Sequence, residues 1–166
     1  MAGAKLDPID RKILAELQRD GRMTNVELAK RVGISAPPCL RRMRTLEEQG
    51  YIRGYHADVD VRELGFEVLV FAMVGLRSQA EADLSAFEEQ CRNWPLVREC
   101  HMLNGEGDFI LKCVAPDLSS FQNFLTGDLT AAPNVGSVKT SLVIRAAKNE
   151  AGVPFEVLED RLSQSA

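Results

Sequence analysis

Histidine is scarce in this chain: His56 and His101 are the only two in 166 residues, which nearly excludes a metal centre built on imidazole. The four cysteines, Cys39, Cys91, Cys100 and Cys113, form no CxxC pair. They read as reduced, half-buried thiols of a cytoplasmic protein. Walker and GxGxxG sequences are missing, and no Ser/His/Asp set can be argued, so no catalytic residue, metal ligand or cofactor is expected. Cys100-His101 does not make a thiol–imidazole pair, because neighbours on a strand point to opposite faces. Long apolar runs are lacking too. The longest, Val68 to Leu76, is too short to cross a bilayer, which takes about 20 residues. Residues 1–6 carry no apolar core of a secretion signal. What is present, 45% hydrophobic and 27% charged residues, suits a soluble globular chain rather than a disordered one.

The net charge of −4 hides a division. Residues 1–56 hold eleven Lys/Arg against seven Asp/Glu, whereas residues 57–166 hold nine against seventeen. A basic segment can use phosphate; an acidic one is repelled by it.

The basic segment predicts three helices. Asp7-Pro8 gives an N-cap followed by proline in the first turn, and Ile9, Ile13, Leu14 and Leu17 form one stripe. Thr24 and Glu27 have capping-box spacing at the start of a short second helix, and Gly33 supplies the turn after it. Ser35 is expected to cap a third helix with Pro37 and Pro38 in its first turn, running to about Gln49. Residues 51–56 are β-prone and predict a short strand or hairpin. Residues 57–65 predict an extended linker strand.

The acidic segment alternates in the order β-α-β-β-α-β, a ferredoxin-like arrangement. Its strands are expected over Val68 to Leu76, Val97 to Leu103, Phe109 to Val114 and Val138 to Ile144. One helix carries Leu84, Phe87, Cys91 and Trp94; the other, capped by Asp117, carries Leu118, Phe121, Leu125 and Leu129. Val68 to Val74 does not alternate, so both faces of that strand must be covered. A second copy of the sheet is the simplest cover, with Val70 and Ala72 expected on the outward face. The fold class is therefore α+β: an N-terminal helix-turn-helix domain over 1–56, with the helix-turn-helix at about 25–44, the linker strand over 57–65, and a C-terminal ferredoxin-like βαββαβ domain over 66–148. A tail over 149–166 has room for a short helix at 154–162.

Two features carry chemistry. On the third helix Cys39, Leu40, Met43 and Leu46 gather on one side. Pro38, Arg41, Arg44 and Thr45 fall opposite, with Arg42 on the flank. The planar fork of arginine pairs with phosphate or with guanine O6/N7. The competing reading, a solvated charged face, rests on Glu47 and Glu48, which follow directly. The second feature is the loop Asn104-Gly-Glu-Gly-Asp108. By spacing alone it is an ordinary hairpin loop. Gly105 and Gly107 also permit close approach of backbone to a ligand.

Leu6-Asp-Pro-Ile-Asp-Arg-Lys-Ile-Leu14, Asn25-Val-Glu-Leu-Ala-Lys-Arg-Val-Gly33-Ile-Ser35, Leu46-Glu-Glu-Gln-Gly-Tyr-Ile-Arg-Gly-Tyr55 and Gly105-Glu-Gly-Asp108-Phe resemble the Lrp/AsnC family of feast/famine transcriptional regulators. The resemblance runs from Leu6 to about Lys148. It implies a winged helix-turn-helix, a linker strand and an effector-binding ferredoxin-like domain. It also implies homodimers, often assembled into octamers, on double-stranded promoter DNA, and an effector that is usually an amino acid. Carried over by residue, it starts the reading helix at Ser35 and matches at Pro38, Cys39, Leu40, Arg42 and Arg44, and it matches Gly105 and Asp108 to the effector loop. With the chemistry of the neighbouring residues added, Ser35, Pro37, Pro38, Arg41, Arg42 and Arg44 are expected at DNA, with Arg53 in the wing, and Asn104, Gly105, Gly107 and Asp108 at the effector. Two departures bear on site preference: the family's Ser-Pro-Thr-Pro is here Ser35-Ala36-Pro37-Pro38, and Arg41 stands where an acidic residue is common. Two other classes stay open. Some relatives of the family are decarboxylases acting on tetrapyrroles, which need no basic reading helix; a stand-alone metabolite-binding module would need no N-terminal domain.

Overall fold

The computed structural model describes residues 6–158. The chain forms two compact units: residues up to 58 together with those from 148 onward, and residues 59–147.

In the first unit, α1 spans Pro8–Arg19, α2 Asn25–Val32 and α3 Ala36–Glu48. Each of the first two opens on a reciprocal cap. Asp7 Oδ1 accepts the N–H groups of Ile9 and Asp10, each at 2.8 Å, while the Asp7 N–H donates to Asp10. Thr24 and Glu27 exchange the same pair of bonds. Gly33 ends α2 at φ 78°, where a Cβ would be strained. The helices enclose Ile13, Leu17, Leu28, Val32, Cys39 and Leu46.

Ser35 sits at the N-cap of α3 but makes no side-chain cap bond. A cap hydroxyl accepts from the second or third helical N–H, and those positions are Pro37 and Pro38, which have none. Residues 51–56 form no strand. Gly50 turns left-handed at φ 77°, and the N–H groups of Tyr51 and Ile52 both donate to Leu46 O, so the chain wraps the end of α3 instead of extending. The linker is not extended throughout: residues 61–65 are a turn, closed by Phe66 N–H donating to Val61 O and capped by Asp60. The tail belongs to the first unit. Gln18 meets Val153 through two bonds, Nε2 to the carbonyl at 2.9 Å and Oε1 from the N–H at 3.0 Å. A helical turn occupies 155–158, starting one residue later than expected; positions 159–162 lie outside the described residues.

The second unit contains β1 (Val68–Leu76), α4 (Glu81–Asn93), β2 (Val97–Met102), β3 (Phe109–Ala115), α5 (Leu118–Phe124) and β4 (Val135–Leu142). A π-helical turn, Leu125–Leu129, continues α5. The sheet is antiparallel in the order β2-β3-β1-β4, as βαββαβ topology requires. β4 begins at Val135, which pairs with Leu76 across a bulge, three residues earlier than its apolar run implies. Val70, Ala72, Val74 and Leu76 point inward with Phe109, Leu111 and Cys113. Phe87 bridges Phe109 and Trp94 at ring separations of 4.9 and 5.9 Å. Leu118 does not share this core and is 58% exposed.

The parity of β1 corrects one expectation. Val70 and Ala72 are on the helix-covered face, and Leu69, Phe71 and Met73 are on the other. An apolar strand does not reveal which of its faces is inside; the pairing with β3 and β4 decides that.

Candidate functional site

The helix-turn-helix displays Ser35, Pro37, Arg41 and Arg44 to solvent, with Pro38 half-buried. Arg53, after α3, is exposed as well. Among the described residues the guanidinium groups of Arg41, Arg44 and Arg53 enter no ion pair, in contrast to that of Arg42. Three cations are thus left for an outside anion, two of them on one helix face.

Arg42, on the flank of the same helix, is paired within the unit. Its Nη1 donates to Asp7 Oδ2 at 2.6 Å and to Asp10 Oδ1 at 2.7 Å. These are the two carboxylates that cap α1, so each spends one oxygen on the cap and another on α3. The Asp10 N–H, and then Arg42, hold the Asp7 carboxyl below its ordinary range, against a burial effect of opposite sign. The same bonds push the Arg42 guanidinium up. The helical wheel explains the placement. Arg42 lies roughly 60° from the direction of buried Cys39, nearer the packed side than Leu40 at roughly 100°. Leu40, expected to pack, is accordingly exposed.

The second site is a cleft of about 360 Å³ in the other unit. Gly105, Gly107 and Asp108 border it together with Met73, Ser137 and Lys139, whereas Asn104 does not. Its surface exists because side chains are missing. A Cβ on Gly107 would stand 2.8 Å from Met73 Cγ, and one on Gly75 would stand 2.7 Å from Ser137 Oγ. The N–H groups of Gly105, Glu106 and Gly107 donate to no other backbone group among the described residues. Glu106 and Lys139 pair at 3.6 Å, both well exposed.

Asp108 is tied into the sheet. Its Oδ2 accepts the Leu76 N–H at 2.6 Å, and its own N–H donates to Val74 O at 2.9 Å. Gln79 Nε2 approaches the same oxygen at 3.4 Å. Oδ1 accepts no bond among the described residues, so half of the carboxylate stays open to a ligand cation. Met73, Gln79, Ser137 and Lys139 were not singled out in the sequence. The signal for three of them is the β1–β4 pairing, which sets Met73 opposite Lys139 and Gly75 opposite Ser137.

The unpaired face of the sheet exposes apolar side chains. Leu69 and Met73 of β1 and Ile110 and Val114 of β3 are half-buried, and Phe71 is 38% exposed. Glu99 anchors the edge of this face, accepting from Lys112 Nζ at 2.7 Å and meeting His101 Nε2 at 3.2 Å. Among the described residues, no helix is long and apolar enough to cross a membrane.

Comparison with known proteins bears on both units. Residues 6–53 match the model of a winged helix-turn-helix DNA-binding domain, and residues 69–153 that of the Lrp/AsnC ligand binding domain. The leucine-responsive regulatory protein of Rhizobium meliloti is 58% identical over 145 residues, covering 87% of this chain and 93% of the relative. That of Escherichia coli K12 is 41% identical over 146 residues, with 88% and 89% covered. Among solved structures, a transcriptional regulator of Neisseria meningitidis in complex with L-Met superposes with a TM-score of 0.88 at 35% identity, covering 93% of this chain and 99% of that one. An AsnC family transcriptional regulator from Agrobacterium tumefaciens gives 0.86 at 31%, covering 92% and 99%.

Proposed function

The chain belongs to the Lrp/AsnC family of transcriptional regulators, and from that premise we propose a division of labour among its residues. Ser35, Pro37, Pro38, Arg41 and Arg44 present α3 to duplex DNA, and Arg53 reaches the neighbouring backbone. The observation that carries this is the pair of guanidinium groups of Arg41 and Arg44 on an exposed helix face, neither in an ion pair among the described residues. Arg42 serves the interface from behind, by fixing the angle of α3 against α1.

The effector is a free amino acid with an apolar side chain. Its carboxylate is held by N–H groups of the 105–107 loop and its ammonium by Asp108 Oδ1, with Asn104 at the rim. Two relatives support the class: one is named for leucine, and one was solved with L-Met. The open face of the sheet docks on a second copy, giving a homodimer and from it a larger ring such as an octamer. The protein acts in the cytoplasm, on double-stranded promoter DNA, without catalysis.

A salt-titrated gel shift on the chain's own promoter region tests the DNA face. Arg41→Ala and Arg44→Ala should each weaken binding by about 1–3 kcal/mol if the residue meets a base edge, and should flatten the salt dependence if it meets phosphate. Binding as tight as the parent's at every salt concentration sinks the assignment.

A further inference from the structure

The second unit holds a cluster of thiols that neither DNA nor effector binding uses. Cys91, on the buried face of α4, and Cys100, half-buried on β2, line one cleft of about 440 Å³. Arg92 and Arg98 stand at its rim with Glu88 and Glu99. Cys113 lies on the neighbouring strand, fully buried, and Cys39 is buried in the other unit. Of the four sulfurs, Cys100 combines access with a second thiol beside it.

We propose that Cys100 and Cys91 form a dithiol that hydrogen peroxide oxidises reversibly, Cys100 being the thiol attacked first and Cys91 the one that resolves it. The electrostatics agree with the order. The contact with the Cys91 thiol draws Cys100 below the ordinary thiol range, and the Arg92 cation helps, against burial and the Glu88 charge. The same contact, followed by burial, holds Cys91 well above that range, so it keeps its proton. Burial pushes Cys113 to about 11 and raises Cys39, which leaves both as inert thiols. Thiolate is the nucleophile, so reactivity at a given pH favours Cys100.

In the first step the Cys100 thiolate attacks one peroxide oxygen. The S–O bond forms, the O–O bond breaks, and the departing hydroxide takes a proton to become water. In the second step the Cys91 sulfur attacks the Cys100 sulfenic acid. The S–S bond forms, the S–O bond breaks, and hydroxide leaves with the Cys91 proton as a second water. Two thiols lose two electrons, and one peroxide becomes two waters. A dithiol reductant reverses the result. The product staples the end of α4 to β2, an edge strand of the same sheet whose β1 and β4 border the effector cleft.

Peptide mapping of the full chain after brief exposure to hydrogen peroxide, with unreacted thiols alkylated under non-reducing conditions, decides the matter. The expected product is an intramolecular Cys91–Cys100 disulfide, undone by dithiothreitol, with Cys100 lost at least about tenfold faster than Cys113 or Cys39. Cys91→Ala should divert the reaction to a dimedone-trapped sulfenic acid on Cys100; Cys91→Ser serves if the alanine chain does not fold. Oxidation of Cys100 no faster than of Cys113 overturns the proposal. So does a disulfide joining Cys100 to another molecule, or a folded Cys91 variant that yields no dimedone adduct.

Discussion

The two units are held together by different chemistry. The first buries only aliphatic residues, a methionine and a cysteine among those described, and depends on polar devices at its helix ends: two capping boxes and an arginine shared between two carboxylates. The second buries a train of rings, Phe109 to Phe87 to Trp94 to Phe124, between helices and sheet. A three-helix unit has little interior to fill, so the groups at its surface decide where each helix starts and how it is angled. A sheet covered by helices has an interior, and packing governs it.

The largest test of that contrast is Phe109→Ala. Phe109 is fully buried where the train of rings meets the sheet, so truncation should cost the second unit about 3–5 kcal/mol in denaturant unfolding and leave the helical signal of the first unit largely in place. A loss below about 1 kcal/mol would mean that packing does not dominate there. Next in size is Phe71→Asp, on the open face of the same sheet. It should leave the unit folded but turn a dimer into a monomer in sedimentation, because an unpaired charge cannot stay in an apolar interface. A variant with the parent's sedimentation would remove this face from the assembly.

Asp108→Asn separates structure from recognition at the cleft. The amide oxygen can still accept the Leu76 N–H, while the charge offered to an ammonium group is gone. Calorimetry should show amino-acid binding weaker by about 1.5–3 kcal/mol with DNA binding unchanged. Equal binding by parent and variant would move the ligand elsewhere. The smallest effect belongs to Arg42→Ala, about 1 kcal/mol in the first unit at neutral pH. Its sign follows from Asp7. A folded carboxyl held below its ordinary 3.8 contributes stability above that pH and loses it as the pH falls through the lowered value. The difference between parent and variant should therefore shrink below about pH 4. A constant difference down to pH 2 would mean that Arg42 stabilises by packing rather than by charge.

Much of this was legible in the residues. Asp7, Thr24, Glu27 and Gly33 act within a few positions of themselves, so their roles follow from spacing. The order of strands and helices in the second unit follows from where apolar period changes. What spacing could not give is long-range. The inward parity of Val70 and Ala72 depends on β3 and β4, and the partner of Asp108 is a backbone N–H 32 positions away. The ion pairs of Arg42 are equally long-range: the carboxylates that hold it stand in the first turn and at the N-cap of α1, 32 and 35 positions earlier, where the spacing within α3 gives no sign of them. The failed cap at Ser35 is a different case: the two prolines that remove its donors stand beside it in plain sight.

The bond pair between Gln18 and Val153 joins positions 135 apart, and residues 59–147 are spliced into the first unit like an insert. The three helices close through near neighbours and can form while the rest of the chain is still being made. The tail cannot join them until synthesis has passed the whole ferredoxin-like segment, and closing so long a loop is easier once that segment has folded and drawn its ends in. The first unit is therefore complete only once the tail has joined it. A chain cut short after β4 would lose a piece of its opening domain, not a dispensable end.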